Sequence, residues 1–294
     1  MTKVFIPFKH NSIFNRIEGS LSVVSSLDEC DTVLLWNDVN PLERGIINLA
    51  RSKGKRTLVV QHGRRGSSRY FPPFNEKIQA DKLLVWGDSD KRALVGVGQD
   101  SSRIGVVGSP ILLRVPPRIK HEGIRVVFCP EHWDTEVEEN KWVKKELQKL
   151  QKKHKNIKVV TKIIESHNPK DYENPIQSNR NSPQHLSVCA DVLSTADIVV
   201  GVSESTFEII AQAMDIPVVI MDEWTPKACN GDERYKTYRR VVSEGSAKCK
   251  AKDLIKTILY HLENPGDLQE GRRNAVIDEG GLGLDTIELI KKEL

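Results

Sequence analysis

Several short stretches of this sequence put reactive residue types where an apolar run gives way to a loop or a helix. In VVQHGRRGSSR (59–69), the run ends at Gln61, a His62-Gly63 pair follows, and then a basic loop rich in glycine and serine. A neutral imidazole at such a strand end can take a proton from a hydroxyl. Gly63 and Gly66 let the backbone approach a ligand closely. Arg64, Arg65 and Arg69 can form charge-assisted hydrogen bonds to phosphate oxygens. The plain alternative is a surface loop with an ordinary histidine. In ADIVVGVSESTFEIIAQAMD (196–215), a buried-strand pattern runs through Gly201 to Ser203, Glu204, Ser205 and Thr206, where helix periodicity begins. Backbone N–H groups at a helix N-terminus, with the helix dipole, attract anions, and the Ser205 and Thr206 hydroxyls would complete a cradle for a diphosphate. The alternative is a helix cap, which Ser and Thr favour whatever the function. The two readings are compatible.

Two weaker signals have the same setting. VVTKIIESHNPKDY (159–172) ends a strand near His167, just before Asn168-Pro169, where a turn histidine is the plain alternative. VFCPEHW (127–133) is a strand followed by a proline-containing loop with Glu131 and His132. The pair Asp88 and Asp90 in Asp88-Ser89-Asp90 has a spacing that can hold a divalent cation. It directly precedes the helical Lys91–Leu94 stretch, so helix capping is the preferred explanation. No GxxxxGK[ST], GxGxxG, GxSxG or HExxH occurs, which sets aside the P-loop, dinucleotide-fingerprint, nucleophile-elbow and zincin readings.

The elements that must carry these residues alternate. Apolar runs at 4–8, 32–36, 57–61, 82–86 and 104–108 are followed by others at 124–129, 157–164, 197–203, 216–221 and 240–243. Nearly continuous runs point to strands covered on both faces. Helical stripes are expected at 138–154 (Val143, Leu147, Leu150), 206–214 (Phe207, Ile210, Ala211, Met214) and 252–263 (Leu254, Ile258, Leu262). Strand–helix alternation implies parallel sheets. It breaks at 108–123, which holds three prolines and no period and is expected to be an inter-domain linker. The expectation is α/β: two doubly wound Rossmann-like domains facing a central cleft, residues 1–115 and 123–280, with about five strands each. A C-terminal helix at 281–294 follows, its packing partner open.

Composition agrees. The chain has 294 residues, 38% of them hydrophobic and 29% charged, which suits two domains of about 120–150 residues each. No apolar stretch reaches membrane-spanning length, and the N-terminus lacks the pattern of a secretory signal. The five cysteines are scattered with no CxxC pair, so a reducing, cytoplasmic setting without a zinc site or disulfide framework is expected. Lys and Arg (44) exceed Asp and Glu (40) by only four, which does not by itself indicate nucleic-acid binding.

The order of the segments then carries a resemblance. His62-Gly63, Gly108-Ser109-Pro110, Cys129-Pro130, His167, and Ala196-Asp197 through Ser205-Thr206 to Glu208 resemble the layout of GT-B enzymes related to CDP-glycerol glycerophosphotransferases and capsule-polysaccharide transferases. The resemblance spans most of residues 55–222. It implies a metal-independent transferase that moves a glycosyl or polyol-phosphate group from a nucleotide-activated donor to an acceptor hydroxyl, with no cofactor. The donor diphosphate would lie against Ser203, Ser205, Thr206 and His167 of the second domain, near Glu131 and His132. The acceptor would approach His62 as base, with Arg64, Arg65 and Arg69 meeting donor or acceptor phosphate. A glycan, a polyol-phosphate polymer, a lipid-linked precursor or a nucleic acid would serve as acceptor, with peripheral membrane contact allowed. The same scaffold hosts nucleotide-sugar 2-epimerases and hydrolases. A non-catalytic binding subunit is the third reading.

Overall fold

The structure, a computed structural model, describes residues 2–8, 14–36, 41–61, 63, 77–96, 98–130, 138–179, 182, 184–202, 205–221 and 245–294. The chain divides into two compact units, residues 1–113 with 277–294, and residues 114–276. Each is built on a six-stranded sheet in which every pair is parallel.

The first sheet contains β1 (Lys3–Phe5), β2 (Ser22–Val24), β3 (Thr32–Leu35), β4 (Arg56–Val60), β5 (Lys82–Val85) and β6 (Ile104–Val106), in the order β2-β1-β3-β4-β5-β6. The second contains β7 (Ile124–Cys129), β8 (Ile157–Ile164), β9 (Pro175–Ser178), β10 (Ile198–Gly201), β11 (Val218–Met221) and β12 (Ser246–Cys249), in the order β12-β11-β10-β7-β8-β9. The described helices, in chain order, are α1 (Phe14–Ile17), α2 (Pro41–Ser52), α3 (Asp88–Gly96), α4 (Glu138–Lys153), α5 (His185–Ser194), α6 (Thr206–Ala213), α7 (Leu254–Glu263), α8 (Gln269–Gly280) and α9 (Thr286–Glu293).

Central strands are apolar throughout because both faces are covered. Successive strand residues point to opposite faces, and the first unit shows the result. Val33, Leu35, Val59 and Leu83 pack with Ile47 and Ala50 of α2 in one core. Leu34, Leu58, Val60 and Leu84 pack with Phe14 and Ile290 in another. In the second unit, Val126, Phe128 and Val200 pack with Val143, Leu147 and Leu150 of α4 and with Leu254 and Ile258 of α7. The expected α/β class, with two parallel sheets covered by helices, is therefore the observed one.

The strand count differs from expectation, and two further segments find their partners. Each sheet has six strands rather than about five. The three added strands, β2, β9 and β12, are all sheet edges. An edge strand is paired on one side only and needs no continuous apolar run, and three residues of β9 are exposed. Pro175 opens β9, a position where a missing N–H costs little. The expected strand at 240–243 lies outside the described residues. The stretch 108–123 spans the division between the two units and is anchored: a 3-10 turn, Pro110–Arg114, buries Ile111 and Leu112, and the Ile119 N–H donates to the Ser194 carbonyl at 2.6 Å. The C-terminal helix, left without a partner by its sequence, joins the first unit. Ile290 is fully buried there, and Glu293 pairs with Lys82 at 2.6 Å.

Candidate functional site

In a parallel sheet every strand delivers its carboxyl end to the same edge, and ligands bind outside that edge where the strand order reverses. Counted from its own first strand, the second sheet reads 3-2-1-4-5-6 from β9 to β12. This is the order of dinucleotide-binding Rossmann sheets. Its reversal falls between β7 and β10, which pair from Ile198 with Val126 to Gly201 with Cys129. β7 leads into Pro130 and the segment that holds Glu131 and His132, which lies outside the described residues. β10 leads through buried Val202 to α6. Ser203 and Glu204 also lie outside the described residues.

Ser205 is the N-cap of α6. Its backbone is extended, and its hydroxyl oxygen accepts the Phe207 N–H at 3.2 Å. The Glu208 carboxylate in turn accepts the Ser205 N–H at 2.6 Å and the Ser205 hydroxyl. This is a capping box, legible in the sequence as Ser205-x-x-Glu208. The cap reading of the turn is thus realised, and the box occupies the N–H groups of Ser205, Phe207 and Glu208. An anion arriving here meets the positive end of the helix dipole and the half-buried Thr206, the first residue of α6.

His167 follows β8, the strand on the other side of β7. Its N–H donates to the Ile164 carbonyl at 3.1 Å, and its Nδ1 accepts the Ile164 N–H at 3.3 Å. The ring is 4% exposed and stands edge-on to Tyr172 at 5.5 Å. With Nδ1 accepting, the proton of the neutral ring sits on Nε2, which makes that nitrogen a donor. Burial, reinforced by Asp171, pushes the Tyr172 hydroxyl up to about 12. His167 and Ser205 thus share one sheet edge, with β7 between them.

A buried polar cluster underlies this edge. Lys162 of β8, Cys189 of α5 and Glu208 are 4%, 4% and 0% exposed. Burial pushes the Cys189 thiol up, Lys162 opposes this, and Glu208 adds to it. A thiol so held is protonated and a poor nucleophile. His185 pairs through Nδ1 with the Ser178 hydroxyl at 2.8 Å, and its Nε2 lies 3.8 Å from the Cys189 sulfur. Of this cluster only Glu208 was singled out in the sequence, as the end of the turn that starts α6; Lys162, Cys189, His185 and Ser178 were given no role there. Their one signal is a lysine inside the apolar run VVTKII.

In the first unit, His62, Arg64, Arg65 and Arg69 lie outside the described residues, whereas Gln61 and Gly63 are described. Gln61 is fully buried beyond the end of β4. Its side-chain nitrogen donates to the Gly63 carbonyl at 2.8 Å and to the Asp90 carboxylate at 2.6 Å, and its side-chain oxygen accepts the Trp86 N–H at 3.0 Å. α3 begins at Asp88, so the Asp88-Ser89-Asp90 stretch forms the first turn of a helix. Asp88 is exposed, while Asp90 is 1% exposed and turned inward to Gln61.

No protein-family profile matches this sequence, and no curated protein sequence does. Solved structures match by shape. A UDP-GlcNAc 2-epimerase from Neisseria meningitidis bound to UDP-GlcNAc superposes with TM-score 0.63 at 12% identity, over 99% of this chain and 98% of that one. The wall teichoic acid polymerase TagF gives 0.62 at 13%, over 99% and 87%. TarM of S. aureus gives 0.52 at 12%, over 89% of this chain and 53% of that one. These are GT-B-type enzymes, and at such identities the likeness is one of fold: the chain has the two-sheet α/β fold that they share.

Proposed function

We propose that this protein is a GT-B-type transferase that moves a glycosyl or polyol-phosphate group from a nucleotide-activated donor to an acceptor hydroxyl without a metal. One observation carries the reading. The second sheet has the Rossmann strand order, and its reversal point opens onto the N-terminus of α6 at Ser205 and Thr206. The donor diphosphate lies against Ser203, Ser205 and Thr206, with His167 as a further contact and Glu131 and His132 following β7. His62 accepts the proton as the acceptor oxygen attacks the transferred carbon or phosphorus. The bond to the nucleotide phosphate oxygen breaks, and the nucleotide leaves as its mono- or diphosphate. The helix dipole and the donors around it stabilise the charge that develops there. Arg64, Arg65 and Arg69 meet donor or acceptor phosphate.

A thermal-shift screen against nucleotides and nucleotide-activated sugars and polyols tests the donor half. A ligand at a hundred times its Kd stabilises the protein by about 2.7 kcal/mol. A melting point that no nucleotide raises would remove the reading. A nucleotide-sugar 2-epimerase is the second reading, favoured by the fit of the epimerase over almost the whole of both chains. It predicts that the donor sugar is altered with no acceptor present.

A further inference from the structure

We propose that the groove between α4 and the turn that follows β12 binds an acidic glycan, with lysines meeting its charged groups and Trp142 packing against its sugar rings. Use of that glycan as the acceptor rests on the transferase reading above; the binding itself does not.

Trp142, Lys145 and Glu146 of α4 form one wall, and Ala251 and Lys252 of a 3-10 turn, Ala251–Asp253, form the other. The groove measures about 380 Å³, within the ~300–1,000 Å³ of small-ligand pockets. Both walls are fixed from beneath: Trp142 and Ala251 pack against one core, which includes Val143, Leu147 and Leu254. Topology puts the groove at a working edge. β12 ends at Cys249, so Lys250 and the turn stand at the carboxyl edge of the second sheet. α4 leads back from that edge to the start of β8, which is parallel to β7, and Trp142 lies in its second turn. The α6 N-terminus stands at the same edge.

Cations dominate the groove. Lys145 and Lys252 have no ion-pair partner among the described residues, and the one acid of the walls, Glu146, is already held by Lys149 at 2.5 Å. Exposed Lys141, Lys145 and Lys149 repeat every four residues, about 6 Å along the helix. Exposed Lys250 and Lys256 flank the other wall. A repeating row of cations suits a ligand that is itself a repeating anion. Trp142 decides which one. It is half-buried, and its indole makes no hydrogen bond among the described residues. The part that the core leaves open therefore offers an apolar ring and an N–H donor. A sugar ring meets both, with its apolar C–H face and its hydroxyls. A polyol-phosphate chain has no ring to pack there. A nucleic-acid groove stacks successive bases on several aromatics, whereas this one has a single indole. Rings that carry charge are an acidic glycan.

Calorimetric titration of the full chain with a hexasaccharide of uronic acids tests this, beside a neutral hexasaccharide, a glycerol-phosphate hexamer and a six-nucleotide DNA strand. The acidic hexasaccharide should bind more tightly than the other three, and its affinity should fall as salt screens the lysines. Lys145→Gln with Lys252→Gln should weaken it roughly 3- to 20-fold and leave the melting point and donor affinity unchanged. Trp142→Leu should weaken it by a comparable factor. Should Trp142→Leu not fold, the lysine pair decides, because both side chains are exposed and their replacement leaves the core intact. No binding of the acidic hexasaccharide, or equal binding by the lysine variant, would overturn the site. Tighter binding of the glycerol-phosphate hexamer or of the DNA strand would overturn the glycan as its occupant. If the acidic hexasaccharide binds as expected but no nucleotide-activated donor does, the transferase reading fails and the acceptor role goes with it, while the glycan site stands.

Discussion

Ser205 caps α6 with a hydroxyl that also lies where the donor diphosphate is proposed to bind, and the two roles separate by measurement. Loss of the cap costs about 1 kcal/mol of stability. Loss of charge-assisted bonds to a diphosphate costs about 1.5–3 kcal/mol each. Ser205→Ala with Thr206→Val should therefore weaken donor binding by roughly tenfold to several hundredfold in a calorimetric titration, beside a modest fall in melting point. A lowered melting point with unchanged affinity would leave only the cap. His261 gives a second residue-scale expectation. Burial, with Arg272 adding and Asp267 opposing, holds its pKa below the ordinary 6.5. The folded state then binds fewer protons than the unfolded state once the pH falls below about 6.5. The stability this group contributes is present above that pH and is lost below it. The melting point should drop between pH 7 and pH 5.5, and His261→Gln should flatten part of that drop. An identical acid slope in the variant would assign it to other groups.

Among the elements, α3 bears on the metal question. Its first turn takes Asp90 inward to Gln61, so the two carboxylates of the Asp88-Ser89-Asp90 stretch do not present themselves together. Turnover should persist in excess chelator. Loss of activity there, restored by Mg²⁺ or Mn²⁺, would contradict this. Legibility at this scale follows burial. Interior strands such as β3, β10 and β11 are buried along their whole length and read directly as apolar runs. The edge strands β2, β9 and β12 carry weaker patterns, because only one side of an edge pairs and its solvent side tolerates polar residues. The capping box was present in the sequence as a spacing. The bonding of the Gln61 amide was not, because its partners Trp86 and Asp90 stand 25 and 29 positions away and only the fold brings them together. The tautomer of His167 is set by a bond to Ile164, which no local pattern announces.

Across the whole molecule, the account rests on two sheets of different order. The first reads 2-1-3-4-5-6, with His62-Gly63 following its fourth strand. The second has the nucleotide-binding order, with its reversal point at the start of α6. Among the described residues no helix is long and apolar enough to cross a membrane. A transferase and an epimerase on this fold differ in whether turnover needs a second substrate. The most direct test supplies the nucleotide-activated donor found by thermal shift and follows release of free nucleotide with and without an acceptor hydroxyl, in excess chelator. The account predicts release that depends on acceptor, persists in chelator, and falls by about two to four orders of magnitude in His62→Ala while donor binding survives. Donor altered or hydrolysed at the same rate without acceptor, or full turnover in His62→Ala, would contradict it.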